Sequence, residues 1–261
     1  MALSYHLLQL PSFVLLLLMM IVFGGLGILA TYLFRKYVQP VPKSGRNEMM
    51  GHFFGLLGGI YGLLLGFVVV LVWGSYNDTQ ANASREASLA LSLYREIRYF
   101  PDSAKAAPLM QAYLTYAHAV VEKEYPQMAR MQPFTGEHRK YINDIYKQVE
   151  LLNVADARSE KMVEHLDQLS MYRNLRELGA YADIPLAIWI PLLLGYVILL
   201  ACALFLDMES VRMHMLVNGL LGAFIGIVIY IILLVNHPFS GGIKIKPEKY
   251  NTILELAERN T

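Results

Sequence analysis

Cysteine is nearly missing from this chain. Its one thiol, Cys202, lies inside an apolar run, so no internal disulfide can form. Charge is also sparse: 16% of residues are charged against 56% hydrophobic, and the formal net charge is +1. That balance is too apolar for an ordinary soluble domain, and it offers no basic footprint for nucleic acid. No HExxH, P-loop, GxSxG or CxxC pattern occurs, so the residues point to no enzyme and to no cofactor. No Lys or Arg precedes Pro11, and no small-residue cleavage site follows the first apolar run, so a secretory signal peptide is not expected. Between Asn77 and Asp183 no strand pattern competes, and apart from a short extended piece at Ile243 to Lys246 the chain reads as all-α.

Long apolar runs are what the sequence does have. Ser12 to Phe34, roughly Phe53 to Trp73, Ile184 to Leu206 and Met215 to Val235 each reach the 20 or so residues that a membrane crossing needs. The expected fold is therefore a four-span helical membrane protein, with a helical extramembrane domain inserted between spans 2 and 3. The segments fall at 1–76 (first transmembrane hairpin), 77–183 (helical domain), 184–236 (second hairpin) and 237–261 (a C-terminal turn and short helix). Membrane lipid is thus one partner.

The second span does not stop where its apolar residues end. From Gly51 to Phe100 no proline interrupts the chain, and Pro101 is the first breaker. One helix of roughly 75 Å is expected, of which the bilayer core takes only about 30 Å. Gly51, Gly55, Gly59, Gly62 and Gly66 recur every three or four residues and share one face. In lipid, such small-residue stripes let helix backbones approach closely. The stripe serves either packing inside the chain or the gathering of copies around an axis. Gly219, Gly222 and Gly226 form a second small-residue face on the fourth span.

Between Asn77 and Asp183 helical periodicity predominates. Asp102 or Ser103 caps a helix over roughly Ala104 to Tyr125, stopped by Pro126. Pro133-Phe134-Thr135-Gly136 is a turn, with Thr135 as cap for a helix over about Glu137 to Val154. Its apolar face carries Tyr141, Ile145, Val149 and Leu152. A third helix covers about Ala157 to Leu178, with Met162, Leu166, Leu169, Tyr172 and Leu175 in register. Pro191 inside the third span predicts a kink. A final helix spans about Glu248 to Arg259.

Three polar groupings stand out. Glu86 lies on the extension of span 2, and Arg173 and Arg176, three apart, share a helix face shortly before span 3. They form either an ion pair, Arg176 with Glu86, or a vestibule that attracts anions. Asn77, Gln80 and Ser84 belong to an uncharged hydrogen-bonding cluster just past Trp73, either a solvated helix exit or groups that hydrate ions leaving a neck. Glu48, His52, Asp207, Glu209 and His214 fall on one predicted side of the membrane, where polar residues are expected in any case, and no metal is assigned to them. His237, Pro238, Phe239 and Gly241 belong to a turn expected to seat the C-terminal segment on the helical domain.

Four spans place both termini and the helical domain on one side. Arg35, Lys36, Lys43 and Arg46 in the first short loop favour a cytoplasmic loop. Arg85, Arg173, Arg176, Lys244, Lys246 and Lys249 near span ends on the other side favour the reverse.

Gly62-Leu63-Leu64-Leu65-Gly66-Phe67-Val68-Val69-Val70 with Trp73, Arg85-Glu86-Ala87, Tyr172-Arg173-Asn174-Leu175-Arg176 and His237-Pro238-Phe239-Ser240-Gly241 together resemble a bacterial membrane family described as bestrophin-like. The resemblance runs from about His52 to Gly242. The more distant bestrophins are pentameric anion channels with four spans and a large cytosolic helical region. Leu65-Gly66-Phe67 looks like the triplet of their second span. The resemblance carries their three-residue apolar neck onto Phe67, Leu63 and Gly59. Leu63 is apolar without being aromatic, and Gly59 departs from the pattern by lacking a side chain. The acidic calcium-binding run of the animal proteins is absent, so calcium gating is not implied. What the resemblance implies is a self-associating anion channel in the bacterial cytoplasmic membrane, with the helical domain in the cytosol. The alternative is a non-conducting scaffold or sensor whose helical domain binds a partner.

Overall fold

The computed structural model describes residues 6–38, 46–133, 138–152 and 157–259. The loop around Pro40, Pro42, Lys43, Ser44 and Gly45, the turn at Phe134, Thr135 and Gly136, and the residues near Val154 lie outside the described residues. The helices are α1 (Ser12–Tyr37), α2 (Arg46–Arg98), α3 (Ser103–Ala119), a π-helical turn (Val120–Glu124), α4 (Tyr125–Ala129), α5 (His138–Glu150), α6 (Ala157–Ala180), α7 (Leu186–Leu204), α8 (Val211–Val235) and α9 (Glu248–Glu258). Among the described residues no strand occurs. α2 is one helix of 53 residues, unbroken between Trp73 and Arg85.

The chain forms two compact units. One combines the described residues up to Gly74 with Asp183–Asn236, and the other combines Ser75–Ala182 with the described residues from His237 onward. The two apolar hairpins are therefore one body. The C-terminal segment is a part of the helical unit and not a separate piece.

In the apolar unit, α1, the first part of α2, α7 and α8 are long and apolar enough to cross a membrane. α1 and α8 approach at backbone distance. A Cβ added at Gly226 would sit 2.5 Å from the Met19 carbonyl oxygen, and one at Gly222 would run into the Phe23 carbonyl. Gly24 and Gly27 supply the matching space on α1: a Cβ on Gly24 would lie 3.0 Å from Gly219 O. Without water between helices, dispersion at this range and hydrogen bonds hold them together. Asn218 Nδ2 donates to Thr31 Oγ1 at 2.8 Å, and Thr31 Oγ1 donates to Gly27 O at 2.8 Å, so the polar groups buried there are paired. Tyr61 and Tyr196 likewise donate to the carbonyls of Leu192 and Phe23 at 2.7 Å. His214 is buried, with Arg35 Nε donating to its Nδ1 at 3.2 Å and its Nε2 3.0 Å from Ala203 O. Among the described residues no group of three or more His, Cys, Asp or Glu gathers in a metal-binding arrangement.

The helical unit packs α3, α5, α6 and α9 around the second part of α2. Its core includes Leu93, Tyr113, Tyr116, Ile145, Leu166 and Tyr250. On α5 Ile142 joins Ile145 and Val149 on the buried face while Tyr141 sits at the margin, and on α6 Leu175 faces outward. Asp102 caps α3 by accepting from Lys105 N at 3.3 Å.

Pro126 does not end helical structure there. After Ala119 the helix widens into a π turn, and α4 continues to Ala129 with Pro126 in its first turn. A proline has no N–H to contribute, and in a first turn that costs little. The widened turn absorbs the mismatch, with Tyr125 N bonding back to Val120 O.

Candidate functional site

The π turn matters because of the residue it delivers. Tyr113, Tyr116 and Ala117 occupy the buried register of α3, Val120 carries it into the π turn, and Glu124 falls on that same register, fully buried. Across from it α6 presents Arg173 and Arg176, one turn apart. α2 supplies Glu86 from its buried face.

These four charges form one network. Arg176 Nε lies 2.5 Å from Glu86 Oε2, and its Nη2 lies 3.0 Å from Glu86 Oε1 and 2.6 Å from Glu124 Oε2. Arg173 donates to Glu124 Oε1 from Nη2 at 2.6 Å and from Nε at 3.1 Å. Arg173 thus pairs with Glu124, while Arg176 bridges both carboxylates. Tyr250 of α9 donates to Glu86 Oε1 at 2.9 Å, and Tyr116 donates to the same oxygen at 3.3 Å. The Tyr125 ring lies 5.0 Å from the Arg176 guanidinium carbon, within cation–π range.

Two negative and two positive groups cancel, which is why so many ions can be buried together. Each alone would carry a desolvation penalty of several kcal/mol. Burial pushes the Glu124 carboxyl upward, but the two guanidiniums outweigh it and hold the group below the usual carboxylate range. Burial disfavours the Arg176 cation, yet Glu86 and Glu124 raise its pKa well above the ordinary value. Tyr116 and Tyr250 are raised well above the usual tyrosine range by burial, reinforced by the Glu86 charge.

Arg176 is fully buried and Arg173 is 3% exposed, so neither guanidinium faces solvent as the anion-vestibule reading requires. Sequence reasoning missed Glu124, Tyr116 and Tyr250. The available signal was periodicity, since Glu124 continues the register of Tyr113, Tyr116 and Val120.

The second candidate surface is on α2. Gly51, Gly55, Gly59, Gly62 and Gly66 are exposed, and an added Cβ at any of them would meet nothing within 4 Å. Packing inside the chain therefore does not account for this stripe, in contrast to Gly219, Gly222 and Gly226. Leu63 and Phe67 are 60% and 65% exposed. Farther along, Asn77, Gln80 and Ser84 are exposed as well, whereas Thr79 is buried, where it would collide with any side chain at Gly179.

The C-terminal turn is tightly held. Ser240 N donates to His237 O at 3.0 Å, and Gly241 adopts a φ of 73°, which favours glycine. Pro238 O accepts from Ile245 N at 2.8 Å. Phe239 is buried edge-on against Tyr125 at 5.6 Å, and Ser240 Oγ donates to Ala129 O at 2.8 Å.

Comparison with known proteins agrees with this architecture. No curated protein sequence matches the chain. Among solved structures, a bacterial bestrophin homolog from Klebsiella pneumoniae is 13% identical, with 93% of this chain and 96% of that chain covered and a TM-score of 0.67. Two point variants of that homolog give 14% identity with TM-scores of 0.68 and 0.70, over 93% and 94% of this chain and 96% and 99% of theirs. Identities this low speak to the fold alone. Residues 21–250 match the family model of the Bestrophin-like domain. With four membrane-length helices and a family match over most of its length, this integral membrane protein belongs to the bestrophin-like family.

Proposed function

We propose that the chain is one subunit of a homo-oligomeric anion channel, with α2 lining the conducting path. The carrying observation is the uncovered glycine face of α2. A lipid-facing surface has no use for five glycines, each of which costs about 1 kcal/mol of helix propensity relative to alanine in water. Close approach of another helix does have a use for them. The small-residue face of α8 has its partner within the chain, and the face of α2 is left for a second copy.

In this reading Gly59, Leu63 and Phe67 form an apolar neck, and Asn77, Gln80 and Ser84 rehydrate ions beyond it. The resemblance to bestrophins implies five subunits and a cytosolic helical unit in a bacterial inner membrane. Neither buried arginine serves as an anion attractor. Their neutralised network instead fixes α6 and α9 against the extension of α2.

Two measurements test the proposal. Mass determination of the purified particle should give an oligomer, and a strict monomer sinks the reading. Chloride flux into protein-containing liposomes should exceed that of empty ones and change with Phe67→Ala. No flux from an intact oligomer would favour a scaffold or sensor.

A further inference from the structure

The helical unit holds one more constellation, used by neither the buried network nor the glycine face, although it shares Gln80 and Ser84 with the polar residues placed past the neck. A cleft of about 520 Å³ lies between α2 and the strap that precedes α9. Tyr76, Gln80 and Ser84 line its α2 wall, and Lys244, Lys246 and Lys249 line the other. Glu248 is the one carboxylate among its lining residues, so three lysines and a single acidic residue border it. Among the described residues none of the three lysines forms a salt bridge.

The strap is held in place. Tyr76 OH donates to Ile243 O at 2.7 Å, and Lys249 Nζ donates to Ser88 Oγ at 2.8 Å. Along it Ile243 and Ile245 are half-buried while Lys244 and Lys246 are exposed, the alternation of an extended segment. α9 then begins at Glu248 with Pro247 at its cap position and no side-chain cap bond. Its first-turn N–H groups add positive partial charge beside the lysines.

We infer that this cleft binds a phosphate group, carried by free phosphate or by an anionic lipid headgroup. A tetrahedral anion with several acceptor oxygens suits the donors present: three ammonium groups, the Gln80 amide and the Ser84 hydroxyl. The volume exceeds the need of a single halide. Tyr76 lies one helical turn beyond Trp73, where α2 leaves its apolar sequence, so a lipid headgroup is within the range of sources. The inference does not depend on conduction.

The test uses the purified full chain. Inorganic phosphate is titrated against the detergent-solubilised protein at constant ionic strength, with chloride as the control anion. In parallel, lipid retention is measured in nanodiscs of phosphatidylcholine and phosphatidylglycerol. K244A/K246A leaves Lys249 and its bond to Ser88 in place, and K105A is the control. Wild type should bind phosphate in preference to chloride, or retain phosphatidylglycerol over phosphatidylcholine. The double variant should weaken that binding about fivefold for each lysine removed, K105A should not, and K244R/K246R should restore most of it. Phosphate binding without lipid retention identifies the free anion as the source, and lipid retention identifies the headgroup. Melting temperatures confirm that the variants fold. Binding of neither probe, or equal binding by wild type and K244A/K246A, overturns the inference.

Discussion

Arg176 and Glu86, ninety residues apart in sequence, meet with Nε 2.5 Å from Oε2, and both side chains are fully buried. One belongs to α6 and the other to α2, and Glu124 from the π turn completes the neutralisation. The network is thus a three-element tie across the helical unit.

Breaking that tie on one side leaves a buried charge uncompensated. Arg176→Met or Glu86→Gln should each destabilise the helical unit by about 3–5 kcal/mol. The double variant E86Q/R176M leaves Arg173 with Glu124, a neutral pair, and should cost less than the sum of the single changes. Thermal or denaturant unfolding followed in all three variants checks this. Strict additivity would show that the two residues act independently.

Stability should depend on pH in a direction set by the network. Glu124 titrates lower in the folded state than in the unfolded chain. Its contribution is complete above the ordinary carboxylate range and is lost as pH falls through its depressed folded value. Melting temperature should therefore fall on acidification, less steeply for Glu124→Gln once that variant's lower stability at neutral pH is subtracted. At the alkaline end, Tyr116 and Tyr250 are raised from 10.0. Their contribution is complete below that value and is lost as pH rises above it, so Tyr250→Phe should flatten the alkaline limb. An acid limb identical in wild type and Glu124→Gln would contradict the first assignment.

The two glycine faces should respond differently to the same substitution. Gly226→Ala places a methyl against the Met19 backbone and should cost about 1–3 kcal/mol in the fold of the apolar unit. Gly62→Ala meets open space within the chain, so it should leave the monomer fold intact and shift the population of oligomers. Melting curves and particle mass, measured on both variants, separate the outcomes. A loss of monomer stability in Gly62→Ala matching that in Gly226→Ala would refute the distinction.

Truncation after Gly242 removes Tyr250 and Ile253, both fully buried in the core of the helical unit. Losing even one large core side chain typically costs about 3–5 kcal/mol. The truncated protein should become sensitive to limited proteolysis within α3 and α6 under conditions where the full chain resists. Unchanged resistance would mean that α9 is dispensable to the unit.

Some of this was open to reading from local pattern. Four apolar runs, an uninterrupted helix from the second of them and the one-turn spacing of Arg173 and Arg176 follow from composition and periodicity, which are properties of neighbouring residues. The sequence leaves the pairing of Arg176 with Glu86 as one of two alternatives, since opposite charges on adjoining helices invite it. Glu124 lies inside the expected helix and on the register of Tyr113, Tyr116 and Val120, but a buried face is recognised by its apolar residues, so a lone carboxylate on it reads as an ordinary surface charge until the arginines opposite are known.

The amino-acid order by itself determined which segments are helical and apolar and which faces carry small residues. Only the tertiary structure decided what those faces meet. Gly222 and Gly226 press against the α1 backbone, while Gly59, Gly62 and Gly66 meet nothing of their own chain. The physical reason is that helical periodicity is a local property, whereas packing depends on the element lying opposite, and that element comes from distant sequence.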